Sequence, residues 1–208
     1  MALEALADPA QAIGMAAYMK GKFPFLGVKT GMRRLATKEL IRDWAGNPVL
    51  AARRLWAEPE REFQYVACDL LDRHAKRLTG ADLDGLLALV SAKSWWDTVD
   101  ALAHVVGSLV RREPKLVKRM DELIDDPDFW RRRVALLHQL GWKDATDRER
   151  LFAYCLRCKD EPEFFIRKAI GWALRDYAWH APDTVRSFLD RYGKELSPLS
   201  VREAAKHL

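Results

Sequence analysis

Residues 96–104 read WDTVDALAH and residues 130–138 read WRRRVALLH, so a tryptophan, an alanine and a histidine recur at an interval of 34 residues. The same interval reaches further alanines at Ala67 and Ala169, each inside an apolar segment. Alanine is common, so the match at several positions together carries more weight than the alanines alone. Intervals of this length are typical of stacked helical pairs of the TPR and HEAT type. Because the Trp-Leu-Gly-Tyr pattern of TPR repeats is missing, a HEAT-like repeat is favoured.

Helical spacing continues outside these two segments. Phe63, Val66, Ala67 and Leu70 follow steps of three and four residues, as the buried face of an amphipathic helix does. Short segments with proline or glycine separate such stretches and indicate roughly a dozen helices. Runs of alternating β-branched residues bounded by hairpin turns are absent. We therefore predict an all-α, HEAT-like helical-repeat superhelix with a concave face, formed as a single domain over residues 1–208.

The composition narrows the class of protein. The chain has 208 residues and a net charge of +5, which is compatible with a nucleic-acid partner but also serves solubility. No stretch is long and apolar enough to span a membrane, and Glu4 and Asp8 stand where a signal peptide would carry basic residues. We therefore expect a cytoplasmic protein that does not bind membranes.

Three cysteines are an odd number, which fits reduced thiols in the cytoplasm. Cys155 and Cys158 form a Cys-x-x-Cys pair, but no second pair and no spaced histidines complete a zinc site. His104 and His138 keep the 34-residue interval and are interpreted as packing residues. We therefore predict no metal and no cofactor.

The segment 94–100, SWWDTVD, holds the most informative carboxylate. Ser94 and Asp97 have the spacing of a capping pair that opens a helix, which favours a structural role for Asp97. Asp100 lies one turn after Trp96, and its equivalent in the next repeat is Val134. A carboxylate thus stands where the repeat accepts a hydrophobe. It is either a functional group or an ordinary solvated or ion-paired side chain, and the pattern alone leaves both open.

Segment 94–100 resembles the signature of the AlkD-like DNA alkylation repair enzymes, and other segments resemble that family in the same order along nearly the whole chain. They are YMK at 18–20 with FPFLGVKT at 23–30, WRRRVALL at 130–137, and FFIRKAIGWALRDYA at 164–178. The main departure from the family is a short region before Tyr18.

This resemblance implies a HEAT-like superhelix whose concave basic face holds duplex DNA containing alkylated purines. It implies a monomeric DNA glycosylase that removes 3-methyladenine or 7-methylguanine without a cofactor. Asp100 would be the catalytic carboxylate, with Trp96 and Trp172 beside it at the damaged nucleotide. The residues expected to contact DNA are Tyr18, Lys29, Arg33, Arg133 and Arg175.

The chemistry of these residue types is coherent with that activity. A purine alkylated at N3 or N7 is positively charged and leaves as a neutral base, so one carboxylate can suffice for hydrolysis. The alternative is a HEAT-like scaffold that binds nucleic acid or protein without turnover, because fold does not determine function. A scaffold has no reason to keep Asp100, Trp96 and Trp172 as a set.

Overall fold

The computed structural model describes residues 3–208, in which the chain forms twelve α-helices and no strand. The helices are α1 (Pro9–Tyr18), α2 (Thr30–Arg42), α3 (Pro48–Ala57), α4 (Arg61–Arg73), α5 (Leu83–Val90), α6 (Trp96–Arg112), α7 (Val117–Leu123), α8 (Phe129–Leu137), α9 (Arg148–Arg157), α10 (Phe164–Ala178), α11 (Pro182–Tyr192) and α12 (Pro198–Ala204). The all-α prediction and the expected number of helices are confirmed. Within residues 3–208, no helix combines the length and the apolar character that crossing a bilayer requires.

The chain divides into two compact units, Met1–Leu89 and Val90–Leu208, and each is described by itself. In the first unit, α2 and α3 pack on α4, around a buried cluster of apolar side chains. In the second unit, α8 packs against both α6 and α10, and α10 also packs against α12. The single domain over 1–208 and the concave basic face both remain predictions.

The 34-residue interval places one alanine in each of four helices. Ala67, Ala101, Ala135 and Ala169 lie in α4, α6, α8 and α10. Three of these alanines have no exposed surface, and Ala101 is half-buried. Small side chains at these positions allow neighbouring helices to approach closely. The repeated alanines therefore lie on buried or half-buried faces of these helices.

At Gly107 the backbone of α6 lies close to the end of α8. A Cβ atom built on Gly107 would lie 1.9 Å from the carbonyl oxygen of His138, which is far inside van der Waals contact. The two helices can pack at this distance only because position 107 carries no side chain. This contact fixes α6, the helix that carries Asp100, against α8, the helix that carries Arg133.

We expect Gly107→Ala to lower the free energy of unfolding by about 1–3 kcal/mol, because the added methyl group forces α6 away from α8. Gly14→Ala in α1 is the matched control, since nothing lies within 4 Å of a Cβ at that position. The control is expected to be neutral or to stabilise by up to about 1 kcal/mol. Urea denaturation of both variants measures the difference. Equal effects of the two substitutions would contradict the packing described.

The predicted capping pair of Ser94 and Asp97 is wrong. Helix α6 begins at Trp96, and its N-cap residue is Trp95, whose side chain makes no capping hydrogen bond. The Ser94 hydroxyl instead donates to the carbonyl oxygen of Val90, at 2.7 Å, where α5 ends. A serine at this position can donate its hydroxyl to the carbonyl four residues before it, or it can accept from an amide at the start of the next helix. Sequence spacing did not distinguish the two uses.

Candidate active site

Asp100 and Arg133 form an ion pair with two parallel hydrogen bonds. Arg133 Nε donates to Asp100 Oδ1 at 2.7 Å, and Arg133 Nη2 donates to Asp100 Oδ2 at 2.9 Å. Asp100 lies on α6 one turn after its start, and Arg133 lies in the middle of α8. The Arg133 side chain is 5% exposed, whereas that of Asp100 is 16% exposed. The pair is therefore buried on the arginine side and reaches solvent on the carboxylate side.

Burial raises the pKa of Asp100 above the usual range of an aspartate. The hydrogen bonds and the positive charge of Arg133 act in the opposite direction, and the nearby charge of Asp97 adds a smaller upward contribution. A poorly hydrated carboxylate interacts more strongly with an approaching cation than a fully solvated one does. The site thus offers one negative charge in a largely desolvated setting.

An aromatic cluster supports the guanidinium. Arg133 Nη1 donates to the backbone carbonyl of Phe165, and Arg133 Cζ lies 6.0 Å from the centre of the Phe165 ring. The Phe165 ring packs against Trp95 at 5.0 Å and against Trp130 at 4.9 Å between ring centres. Residues from α8 and α10, together with the N-cap of α6, therefore meet at the ion pair. This geometry fixes Arg133 in one orientation.

Sequence analysis did not assign Trp95 or Phe165 to the site. The aromatic residues at 96, 130 and 164 keep the 34-residue interval, but two of the three rings in the cluster belong to their neighbours, 95 and 165. Neighbouring helical residues point about 100° apart, so a shift of one residue decides which ring faces the ion pair. The doubled aromatics at 95–96 and 164–165 were the only available signal.

Trp96 and Trp172 are half-buried on the helices that form this site. Trp96 is the first residue of α6 and lies one turn before Asp100. Trp172 lies on α10, seven residues after Phe165, so the two share one face of that helix at a separation of about 10 Å along the axis. That the two indoles flank a bound nucleotide remains a prediction.

Arg175 is held by a carboxylate that sequence analysis did not single out. Arg175 Nη1 donates to Glu203 Oε2 at 2.8 Å, and Oε1 of the same residue contacts Lys206 at 2.8 Å and Lys168 at 2.9 Å. Hydrogen bonds from Lys206 and Lys168 lower the pKa of Glu203 to about 2. The predicted DNA contact Arg175 thus belongs to a cluster that joins α10 to the C-terminal region.

Two arginines that precede Arg133 on α8 are engaged in ion pairs. Arg132 contacts Glu161 at 3.1 Å, and Arg131 contacts Asp126 at 3.3 Å. Both contacts are ordinary structural ion pairs.

The remaining predicted DNA contacts belong to the first unit. Tyr18, the last residue of α1, is 69% exposed, and Lys29 is an exposed N-cap residue of α2. Arg33 is buried, and its Nη2 donates to Asp69 Oδ2 at 3.0 Å. Tyr18 and Lys29 are thus open to a ligand, whereas most of Arg33 is committed to the protein interior.

A buried glutamate holds the backbone just before Lys29. Glu62 accepts hydrogen bonds from the amides of Leu26 at 3.0 Å, Gly27 at 2.9 Å and Val28 at 3.0 Å. The residue has no exposed surface. Three charge-assisted bonds to consecutive amides fix the course of the chain that leads into α2. Sequence analysis missed this role, because the amides and the carboxylate are more than thirty residues apart.

We expect Glu62→Gln to lower the free energy of unfolding by about 1.5–3 kcal/mol, because the amide group cannot accept at both of its ends. The control is Glu39→Gln, which removes the same charge from a side chain that is 83% exposed. It is expected to change stability by less than about 0.5 kcal/mol. Thermal and urea unfolding provide the measurement. A Glu62→Gln variant as stable as the control would refute the anchoring role.

The cysteines and one of the two repeated histidines, His138, are buried. Cys155 and Cys158 are free and buried, and burial raises the pKa of both thiols, that of Cys158 to about 12. Within residues 3–208, no three His, Cys, Asp or Glu side chains are grouped so that they could hold a metal ion. His138 is 1% exposed, and burial lowers its pKa to about 4, so its interpretation as a packing residue is confirmed. His104 lies exposed on α6, so its interpretation as a packing residue is wrong.

Comparison with known proteins places these features in context. A family model described as DNA alkylation repair enzyme matches residues 1–208. A solved structure described as a predicted DNA alkylation repair enzyme from Enterococcus faecalis is 34% identical, with a TM-score of 0.90 over 97% of this chain and 96% of that chain. AlkD2 from Streptococcus mutans is 18% identical, with a TM-score of 0.67 over 87% of this chain and 92% of that chain. The protein smu.31 from Streptococcus mutans UA159 is also 18% identical, with a TM-score of 0.64 over 85% of this chain and 90% of that chain. No curated protein matches.

Proposed function

Because this chain belongs to the DNA alkylation repair enzyme family, we propose that it is a DNA glycosylase that removes positively charged alkylated purines from duplex DNA. Its substrates are N3- and N7-alkylated purines such as 3-methyladenine and 7-methylguanine. The observation that carries this proposal is the carboxylate of Asp100, which is oriented by Arg133 and partly open to solvent.

The proposed reaction breaks the bond between C1′ of the deoxyribose and the purine nitrogen. The bonding electrons go to the base, which carries a positive charge and therefore leaves as a neutral molecule. The sugar becomes cationic, and the negative charge of Asp100 stabilises it. A water molecule oriented by Asp100 then forms a bond to C1′ and releases a proton, which the carboxylate accepts and passes to solvent. No group is needed to protonate the leaving base.

Arg133 acts as a positioning residue in this scheme. It contacts each oxygen of Asp100 once, and each oxygen keeps a second lone pair for the sugar or the water. The guanidinium also favours the ionised form of the carboxylate, which the mechanism requires.

Trp96 and Trp172 are proposed to contact the damaged nucleotide. An indole face attracts a cation with about 0.5–2 kcal/mol, depending on how much water is excluded. Alkylated purines and the developing sugar cation are both positively charged, so the two tryptophans favour the lesion over a neutral base. Tyr18, Lys29, Arg33 and Arg175 are proposed as further DNA contacts. The active species is proposed to be a cytoplasmic monomer without a cofactor.

The proposed function is tested with duplex DNA that has been treated with a methylating agent. After incubation with the protein, free 7-methylguanine and 3-methyladenine are quantified by mass spectrometry. The control is treated duplex DNA incubated without the protein, because N3- and N7-methylated purines are also lost slowly by spontaneous hydrolysis. We expect the protein to release methylated bases well above this background. Tight binding to treated DNA with no released base would instead favour a non-catalytic HEAT-like scaffold.

A further inference from the structure

Three cationic side chains surround the buried carboxylate of Glu203. Lys168 and Lys206 contact Oε1 at 2.9 and 2.8 Å, and Arg175 contacts Oε2 at 2.8 Å. Because Glu203 is ionised throughout the physiological range, three positive charges meet one negative charge. We call Lys168, Arg175, Lys206 and Glu203 the Glu203 cluster. Its net charge is therefore about +2.

The backbone around the Glu203 cluster is tightly fixed. A Cβ atom on Gly171 would lie 2.4 Å from the Cβ of Glu203, so α12 packs directly on the backbone of α10. The Ser200 hydroxyl donates to the carbonyl of Arg167 at 2.8 Å and joins the same two helices. The Ser197 side chain caps the start of α12 by accepting from the amide of Ser200. Glu203 is thus presented to the cations by a rigid element.

The cations remain accessible although Glu203 is not. The side chain of Glu203 is 10% exposed, whereas those of Lys168 and Lys206 are 37% and 49% exposed. Arg175, at 22%, uses one of its guanidinium nitrogens for Glu203. A purely structural pair needs one cation for one carboxylate, and two additional cations repel each other unless an anion approaches. The cluster therefore has the charge and the hydrogen-bond donors of an anion site.

The Glu203 cluster is adjacent to the proposed lesion contact. Lys168, Trp172 and Arg175 are separated by four and three residues, so they share one face of α10. Phe165, which accepts a hydrogen bond from Arg133, begins the same face. The cations of α10 lie about 5–15 Å along the helix axis from Phe165. This distance corresponds to nucleotides that flank a base held near Asp100.

We propose that Lys168, Arg175 and Lys206, which all contact Glu203, bind two adjacent backbone phosphates of duplex DNA. The place of these phosphates beside the lesion rests on the proposed function, whereas the phosphate contacts themselves do not require turnover. The net charge of the cluster equals the charge of two phosphates. An aligned set of donors binds them without first having to be ordered.

The test measures the affinity of the full chain for undamaged duplex DNA at several salt concentrations, by fluorescence anisotropy. Each phosphate contact contributes about 0.9 to the slope of log K against log salt. We expect Lys206→Gln to reduce the magnitude of the slope by about 0.9, and Lys168→Gln combined with Lys206→Gln to reduce it by about 1.8. The matched control is Lys194→Gln, which removes the same charge from an exposed residue outside the cluster. It is expected to leave the slope unchanged.

Slopes that are the same for the control, the single variant and the double variant would overturn the proposal. The thermal unfolding of each variant is recorded first to establish that it is folded. If the double variant does not fold, Lys206→Gln alone still tests the proposal, because that side chain is half exposed. Undamaged DNA contains no lesion, so the result is independent of base release. If the protein releases no base but the lysine variants show reduced slopes, the phosphate site stands without the proposed function. If the protein releases base but the variants keep the full slope, the phosphate site is refuted.

Discussion

Asp100→Asn is expected to slow the release of 7-methylguanine from duplex DNA by about 10²- to 10³-fold in single-turnover experiments. Asparagine has nearly the same shape but lacks the negative charge that stabilises the sugar cation and accepts the proton of water. Its amide oxygen can still accept one hydrogen bond from Arg133, but its NH2 group cannot accept the second. The affinity for methylated DNA is expected to change little, because the lost interaction is strongest in the transition state.

The matched control for this substitution is Asp190→Asn, which removes the same charge from an exposed position on α11. It is expected to retain the rate of the unmodified protein. The rates are obtained from the amount of free base released as a function of time, with protein in excess over DNA. An Asp100→Asn variant that releases base as fast as the control would remove Asp100 from the mechanism.

Arg133→Met is expected to lower the free energy of unfolding by about 3–5 kcal/mol, because it leaves a largely buried carboxylate without its partner. The carbonyl of Phe165 loses a donor in the same substitution. Base release is also expected to slow, since the pKa of Asp100 rises further when the guanidinium is removed. Urea denaturation and the release assay measure the two effects separately.

Two further variants serve as controls for Arg133→Met. Arg148→Met removes an exposed arginine from α9 and is expected to change stability by less than about 0.5 kcal/mol. Arg133→Lys keeps the positive charge but cannot form two parallel hydrogen bonds, so its stability and rate should lie between those of Arg133→Met and the unmodified protein. If Arg133→Met were as stable as Arg148→Met, the ion pair with Asp100 would not contribute to the free energy of unfolding.

The helical architecture was predictable because it depends on local and periodic signals. The alanines at 67, 101, 135 and 169 indicated four helical segments, and three of the four alanines are fully buried in the structure. Short segments with proline or glycine identified the boundaries. The error at Ser94 arose where one hydroxyl could serve either of two helix ends at nearly equal cost.

The residues of the candidate site could be predicted from the sequence, but the contacts between them could not. Asp100 and Arg133 were both identified, yet their pairing depends on how two successive repeats are rotated against each other. The 34-residue interval makes position 134 the equivalent of position 100, so it gives no reason to pair Asp100 with Arg133. The role of Glu203 was not predictable from the sequence, because only Lys206 is a sequence neighbour and its other two partners, Lys168 and Arg175, come from α10. Only the packing of α12 on α10 reveals its role.

The pH dependence of single-turnover base release tests most directly whether one carboxylate suffices for the chemistry. Burial raises the pKa of Asp100, so we predict that the rate falls on the acid side at a pH above the usual aspartate range. At higher pH the rate should reach a plateau that extends through neutrality, because the departing base needs no proton. A second decrease at alkaline pH, which would reveal a required general acid, or a rate that does not change with acidification, would contradict this account.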